Sequence, residues 1–267
     1  MKSGQLFVDQ VRSSTRTTFV SVLLHGFPGT GKTALAATIA ASSQFPFIKL
    51  VSPDSMVGYS EQQKVAAITK IFNDSYKSPL SVIVMDSIER LIGEHDCFTL
   101  RPWLMGDRMD ADGLQVLERD PTNTNGADGT QTTKGTLDHQ VGMHYIDMNP
   151  QGRRLLILAT TSVQSIMSDI GFSDVFDSEL RVPPITSLKA LEYIIHQVEL
   201  FERREDRKAA MRMLEEAGFS GRGVDGLPGS TKLQIGIKRL LGVIEMARQE
   251  PENAGQRLVS SLLGLGM

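Results

Sequence analysis

A glycine-rich loop between an apolar strand and an alanine-rich helix constrains the fold of this chain more than any other feature. Residues 19–24 form a β-branched, apolar run of strand length, and residues 25–31 break it with glycine, proline and threonine. Alanine, leucine and isoleucine then dominate residues 33–42 at helical composition. The order strand, loop, helix is typical of the first unit of a sheet that is covered by helices.

The loop matches the pattern G-x-x-x-x-G-K-[ST] of a phosphate-binding P-loop at every position. In such a loop the backbone N–H groups converge on phosphates at the positive end of the following helix. The lysine adds a positive charge, and the last hydroxyl can ligate Mg²⁺. We therefore predict that a nucleotide's phosphates bind to Gly26, Phe27, Pro28, Gly29, Thr30, Gly31, Lys32 and Thr33.

The rest of the chain predicts an α/β domain followed by a helical one. Apolar runs at residues 45–51, 80–85 and 155–159 indicate three further strands, and residues 61–76 form an amphipathic helix. Strands that alternate with helices favour a parallel sheet in a three-layer α/β domain. Helical spacing at residues 187–200, 208–217 and 235–248 predicts an all-helical tail. We place the boundary between residues 1–185 and residues 186–267.

An acidic residue directly follows the predicted strand at residues 80–85. A P-loop requires a carboxylate at the end of a neighbouring strand to hold the metal and its water shell. Asp86 follows four apolar residues and fits this Walker B pattern. We predict that Thr33 and Asp86 hold Mg²⁺ and that Asp86 and Lys32 are the catalytic residues.

The position after Asp86 predicts slow hydrolysis. Hydrolysing members of this class usually carry a second carboxylate there, which polarises the attacking water. Here the residue is Ser87, and a serine without a partner is not a general base near neutral pH. Glu89 could substitute only if the chain turned sharply after the strand, so we expect it to be a surface charge or a partner of Arg90.

Residues 92–150 fit neither the α/β pattern nor the helical one. Their centre, residues 120–134, is dense in threonine, asparagine, glycine and aspartate. Such a run buries too little apolar surface to offset its ordering entropy. We predict that this atypical segment is disordered and contributes no ligand to the nucleotide.

Composition excludes several classes of protein. The net charge is -3, from 28 Lys+Arg against 31 Asp+Glu, which argues against a dedicated nucleic-acid binder. The single cysteine, Cys97, rules out an intramolecular disulfide and a multi-cysteine zinc site, so we expect a reducing, cytosolic compartment. No apolar run approaches the ~20 residues of a membrane span, so we expect no transmembrane segment.

Over residues 17–91 and 151–248 the chain resembles the second ATPase domain of the N-ethylmaleimide-sensitive fusion factor family, the vesicle-fusing AAA+ ATPases. The resemblance rests on the P-loop with its neighbouring residues and on several shorter stretches of sequence. These stretches are residues 45–49, 52–54, 58–61, 74–78, 86–91, 152–157 and 235–238.

The resemblance implies an AAA+ fold with a helical C-terminal lid, and ATP and Mg²⁺ as cofactors. It implies a weak ATPase whose nucleotide mainly holds a homo-oligomeric, hexameric ring together. Through an adaptor, and through domains absent from this chain, the family disassembles SNARE complexes. It also implies a cytoplasmic protein that associates peripherally with vesicle and Golgi membranes.

The resemblance also assigns roles to residues outside the P-loop. Lys238 corresponds to the sensor 2 cation that reaches the γ-phosphate of its own subunit, and Arg154 to a cation that points at the adjacent subunit's nucleotide. Thr160 and Thr161 replace the sensor 1 asparagine, and we assign Thr161 to the nucleotide site. Residues 174–181 lack the arginine pair that active AAA+ domains insert into a neighbour's site.

Two other functions remain open from the sequence. One is an actively hydrolysing AAA+ remodeller, which Ser87 and the missing arginine pair disfavour. The other is a small P-loop kinase, which would need an acceptor pocket and a lid with catalytic arginines.

Overall fold

The computed structural model describes residues 2–14, 17–91, 104, 153–169, 171, 173–219 and 233–265. The prediction of disorder for residues 92–150 therefore falls outside the described residues, apart from Leu104. That leucine is fully buried in the core on one face of the sheet.

Among the described residues, five parallel strands form one sheet, which confirms the predicted parallel arrangement, although the sequence predicts only the first four strands. They are β1 (Phe19–His25), β2 (Phe47–Val51), β3 (Leu80–Met85), β4 (Arg154–Thr161) and β5 (Ser178–Arg181), in the order β2-β3-β4-β1-β5. In the pairing of β1 with β4, His25 lies opposite Thr161. The residues that follow β1 and β4 therefore meet at the carboxyl edge of the sheet.

Helices cover both faces of this sheet and complete the predicted three layers. They are α1 (Lys2–Ser13), α2 (Lys32–Ser43), α3 (Glu61–Ser75), α4 (Ile88–Leu91) and α5 (Gln164–Asp169). Val8 of α1 and Ile39 of α2 pack in the core of one face, whereas Ile68 and Phe72 of α3 pack in the core of the other. In the described part of the chain, no helix is long and apolar enough to cross a membrane.

In the described part of the chain after the sheet, four helices form a separate subdomain with its own apolar core. They are α6 (Leu188–Gln197), α7 (Arg204–Glu216), α8 (Ile237–Arg248) and α9 (Ala254–Gly264). An antiparallel bridge between Ile185 and Ile235, which both pack in this core, pairs the segment before α6 with the segment before α8, with N–H to carbonyl distances of 2.8 and 3.1 Å. The boundary between residues 1–185 and 186–267 stays a prediction.

Candidate functional site

The P-loop lies between β1 and α2, where the last residue of β1 is followed at once by Gly26. A Cβ at Gly26 would lie 2.3 Å from the carbonyl oxygen of Val182, so only glycine fits there. Val182 in turn donates its N–H to the carbonyl oxygen of His25 at 2.8 Å. The chain after β5 therefore supports the start of the loop, and the loop ends at the N-terminus of α2.

Lys32, the first residue of α2, lies with its amine against the loop backbone. Its Nζ donates to the carbonyl oxygens of Gly26 and Phe27, each at 2.9 Å, and only 7% of the residue is exposed. Burial lowers the pKa of the Lys32 amine below its usual value, while the carboxylates of Glu89 and then Asp86 oppose this shift. The amine is thus a buried cation held by neutral carbonyls, which anionic phosphate oxygens can replace.

Thr33 and Asp86 meet at the carboxyl edge of the sheet. The Thr33 hydroxyl donates to Asp86 Oδ1 at 2.5 Å, and the Asp86 N–H donates to the carbonyl oxygen of Val51 at 2.8 Å. A hydroxyl and a carboxylate are hard oxygen donors, which Mg²⁺ prefers, and it usually takes only one or two protein carboxylates alongside phosphates and water. The donor set therefore fits the predicted Mg²⁺ site.

Of the two adjacent threonines at the end of β4, Thr160 faces this cluster. Its hydroxyl donates to Asp86 Oδ1 at 2.7 Å and accepts the Ser87 N–H at 2.9 Å. Thr161 is fully buried, and its Oγ1 accepts the N–H of Val163 at 3.2 Å. The geometry thus does not support our assignment of Thr161 to the nucleotide site. Successive side chains of a strand point to opposite faces, and Thr160 holds the position that faces Asp86.

The expectation for Glu89 is wrong, because the chain does turn sharply after β3. Ser87 adopts a left-handed conformation with φ 51°, and α4 starts at the next residue. This turn directs Glu89 inward, where its Oε1 accepts the N–H of Ser162 at 3.2 Å. Arg90 instead lies 3.6 Å from Asp54.

A cleft of 820 Å³ lies beside the contact between the P-loop and the helical subdomain and is lined by residues of both. The backbone N–H of Lys238 donates to the carbonyl oxygen of Gly29 at 3.1 Å, which ties the start of α8 to the loop. The Lys238 side chain is exposed beside this cleft. Its contact with a γ-phosphate stays a prediction. The cleft is lined by Phe27, Pro28, Gly29, Pro184, Gln234, Ile235, Gly236, Lys238, Arg239 and Leu265.

Arg154 lies at the opposite edge of the sheet from the P-loop of its own chain, because it starts β4. Its Nη1 donates to the carbonyl oxygen of Val11 at 2.9 Å and also to that of Arg12. The guanidinium thereby caps the last turn of α1. Its predicted role toward a neighbouring subunit's nucleotide stays a prediction.

Comparison with known sequences identifies relatives. The sequence model of the ATPase family associated with various cellular activities (AAA) matches residues 22–184. The vesicular-fusion protein sec18 of Schizosaccharomyces pombe is 37% identical over 248 residues, which are 92% of this chain and 26% of that protein. The vesicle-fusing ATPase of Dictyostelium discoideum is 35% identical over 253 residues, which are 95% of this chain and 27% of that protein. The chain thus spans about a quarter of the length of these relatives.

Comparison with solved structures supports the same fold. The AAA domain of FIGL-1 superposes with a TM-score of 0.57 at 16% identity, over 98% of this chain and 78% of that one. The same domain in complex with ADP gives a TM-score of 0.53 at 17% identity, over 97% and 78% of the two chains. At this level of identity the likeness concerns the fold alone.

Proposed function

The chain belongs to the AAA family of ATPases, and from this premise we propose that it is the ATP-binding module of a vesicle-fusing ATPase. In this module bound ATP and Mg²⁺ mainly support the assembly of subunits, and hydrolysis is slow. The proposal combines the site's geometry with the similarity to vesicle-fusing relatives.

One observation carries the nucleotide part of the proposal: Lys32, Thr33 and Asp86 lie together at the carboxyl edge of the sheet. Lys32 supplies the charge for the β- and γ-phosphates, and the loop N–H groups at the start of α2 surround them. The cleft beside Phe27 and Gly236 has the volume of a small-molecule site and can take the base and sugar.

Thr33 and Asp86 are the residues that would hold Mg²⁺. The ion, when bound, neutralises charge that develops on the phosphate oxygens. Thr160 orients Asp86 for this task, because its hydroxyl donates to the carboxylate at 2.7 Å.

Slow hydrolysis follows from what the chain places near the γ-phosphate. Residues 174–181 contain one arginine rather than a pair, and no carboxylate directly follows Asp86 in the sequence. An arginine that stabilises the γ-phosphate charge raises the rate about 10³–10⁵-fold in GTPases. A site that binds ATP well but lacks this arginine uses nucleotide mainly as a structural ligand.

The proposed assembly is a homo-oligomeric, hexameric ring, as the resemblance implies. We propose that the ring acts on SNARE complexes through an adaptor and through domains that this chain does not include. In the cell it would be cytoplasmic and peripherally associated with vesicle and Golgi membranes.

The test is an ATP titration by calorimetry with Mg²⁺ and with EDTA, alongside steady-state turnover. We expect saturable ATP binding that Mg²⁺ strengthens, with turnover well below 1 s⁻¹, the low end of ordinary kcat values. Absence of ATP binding would refute the proposal. Turnover of about 10 s⁻¹ or more would instead support the actively hydrolysing remodeller, and phosphate transfer to an acceptor would support a kinase.

A further inference from the structure

The carboxylate of Glu89 lies at the candidate site with one oxygen bound and the other unused. Oε1 accepts the N–H of Ser162, the residue that follows β4. Among the residues that the structure describes, no group donates a hydrogen bond to Oε2, although this atom is buried. A buried carboxylate oxygen without a donor is costly, so such an atom calls for a water molecule or a ligand beside it.

The Glu89 carboxylate also lies near enough to the P-loop to act electrostatically on the Lys32 amine. Two carboxylates act on the Lys32 amine, and Glu89 influences its pKa more strongly than Asp86 does. Both carboxylates raise the pKa of this amine, against the effect of its burial. The neighbouring Arg90 does not pair with Glu89, because its guanidinium lies beside Asp54.

The turn at Ser87 produces this arrangement. Its left-handed backbone, φ 51°, bends the chain between β3 and α4. The Ser87 N–H is held by the hydroxyl of Thr160, which also holds Asp86. One threonine thus fixes both the metal-site carboxylate and the turn that brings Glu89 inward.

We propose that Glu89 is the carboxylate that orients and deprotonates the attacking water in ATP hydrolysis, in place of the carboxylate that Ser87 lacks. This inference rests on the proposed function, since it needs ATP in the P-loop. As the water oxygen bonds to the γ-phosphorus, the bond from that phosphorus to the β,γ-bridging oxygen breaks. ADP leaves with the electron pair, and Oε2 of Glu89 takes the proton and later releases it to solvent.

A purely electrostatic role for Glu89, as the counter-ion of Lys32, makes a different prediction. In that case its charge competes with the phosphates, and removing it would tighten ATP binding and leave the hydrolysis rate unchanged. The two roles therefore separate in the hydrolysis rate, which only the catalytic role lowers.

The test is Glu89→Gln in the full chain, with single-turnover hydrolysis and ATP affinity measured on the same samples. Glutamine keeps an oxygen for the Ser162 N–H but accepts no proton. We expect the rate to fall about 10²-fold, a typical loss for a general base, with ATP affinity equal to wild type or tighter. Asp54→Asn is the matched control, because it removes an exposed carboxylate beside the same short helix, and its rate should equal wild type.

A second measurement does not depend on turnover. ADP with aluminium fluoride mimics the transferring phosphoryl group and its attacking water. Glu89→Gln should weaken binding of this complex about tenfold relative to wild type and leave binding of ADP alone unchanged. The Glu89 inference is overturned by a wild-type hydrolysis rate in Glu89→Gln, or by equal affinities of both proteins for the fluoride complex. If wild type binds no ATP, the proposed function fails instead, so the two failures are distinguishable.

Discussion

The Lys32 amine shows how the site is arranged at the scale of single residues. It donates to two carbonyl oxygens of its own loop and is nearly buried. Neutral carbonyls are weaker partners for an ammonium than phosphate oxygens are, because phosphate oxygens carry a negative charge. The loop therefore holds the amine in the site and releases it when phosphates enter.

Lys32→Ala tests this arrangement. Loss of the charge-assisted contacts should weaken ATP binding about 10²-fold, while the α/β fold persists because Ala suits the first turn of α2. Isothermal titration measures the affinity, and circular dichroism checks the fold. The control is Lys70→Ala, which removes an exposed lysine of α3. Equal ATP affinities for the two variants would contradict the P-loop assignment.

The two threonines at the end of β4 provide a second test at this scale. Thr160→Val keeps the shape but removes the donor to Asp86 and the acceptor for the Ser87 N–H. Metal-site support of this kind is worth about 10–100-fold in affinity, so Mg²⁺-dependent ATP binding should weaken by about tenfold or more. Thr161→Val should leave that binding unchanged, because its hydroxyl serves the Val163 N–H. Weaker binding in Thr161→Val together with unchanged binding in Thr160→Val would instead support the assignment of Thr161 to the nucleotide site.

At the scale of elements, the start of α8 lies directly on the P-loop. Gly236 precedes this helix, and a Cβ there would lie 2.7 Å from the carbonyl oxygen of Gly29. The same carbonyl accepts the Lys238 N–H. Backbone atoms thereby connect the helical subdomain to the loop. A nucleotide in the cleft would contact both the loop and the start of α8.

Gly236→Ala should separate these two backbones. The added methyl group forces a shift that costs about 1–3 kcal/mol, so ATP affinity should fall about tenfold. Gly242→Ala, within α8, is the matched control, since a Cβ at Gly242 meets nothing within 4 Å. That control should leave ATP binding unchanged and stabilise the protein by about 0.5–1 kcal/mol in urea unfolding. Unchanged ATP affinity in Gly236→Ala would show that the contact with α8 does not matter.

How far the elements follow from the sequence depends on their burial. Both ends of β3 are predicted correctly, because its run is apolar except for Ser81, is bounded by Pro79 and Asp86, and suits a strand buried on both faces. The four residues of β5 alternate between partly buried and exposed positions and contain two charges, so no apolar pattern indicates this edge strand.

The residues of the candidate site also differ in how far the sequence predicts their positions. The P-loop and Asp86 are predictable, because a motif and a strand end fix their positions. Glu89 is not, because its direction depends on a left-handed serine, and serine carries no strong preference for that conformation. The sequence did contain a signal, because an acid three residues after Asp86 can reach the nucleotide site if the chain turns between the two residues. Nothing in the local sequence indicates that turn.

At the scale of the whole molecule, the α/β part and the helical subdomain contact each other where the start of α8 meets the P-loop. A nucleotide bound between them would fix their relative orientation. In a ring, each subunit must present both subdomains to its neighbours in one arrangement. Bound ATP would therefore favour assembly even without turnover.

Sedimentation velocity with and without ATP tests this central claim most directly. With Mg²⁺ and saturating ATP, the wild-type chain should shift from a small species to one of about six subunits, and Lys32→Ala should not shift under the same conditions. The same sedimentation coefficient for wild type with and without ATP, at a concentration where calorimetry shows the nucleotide bound, would contradict the account.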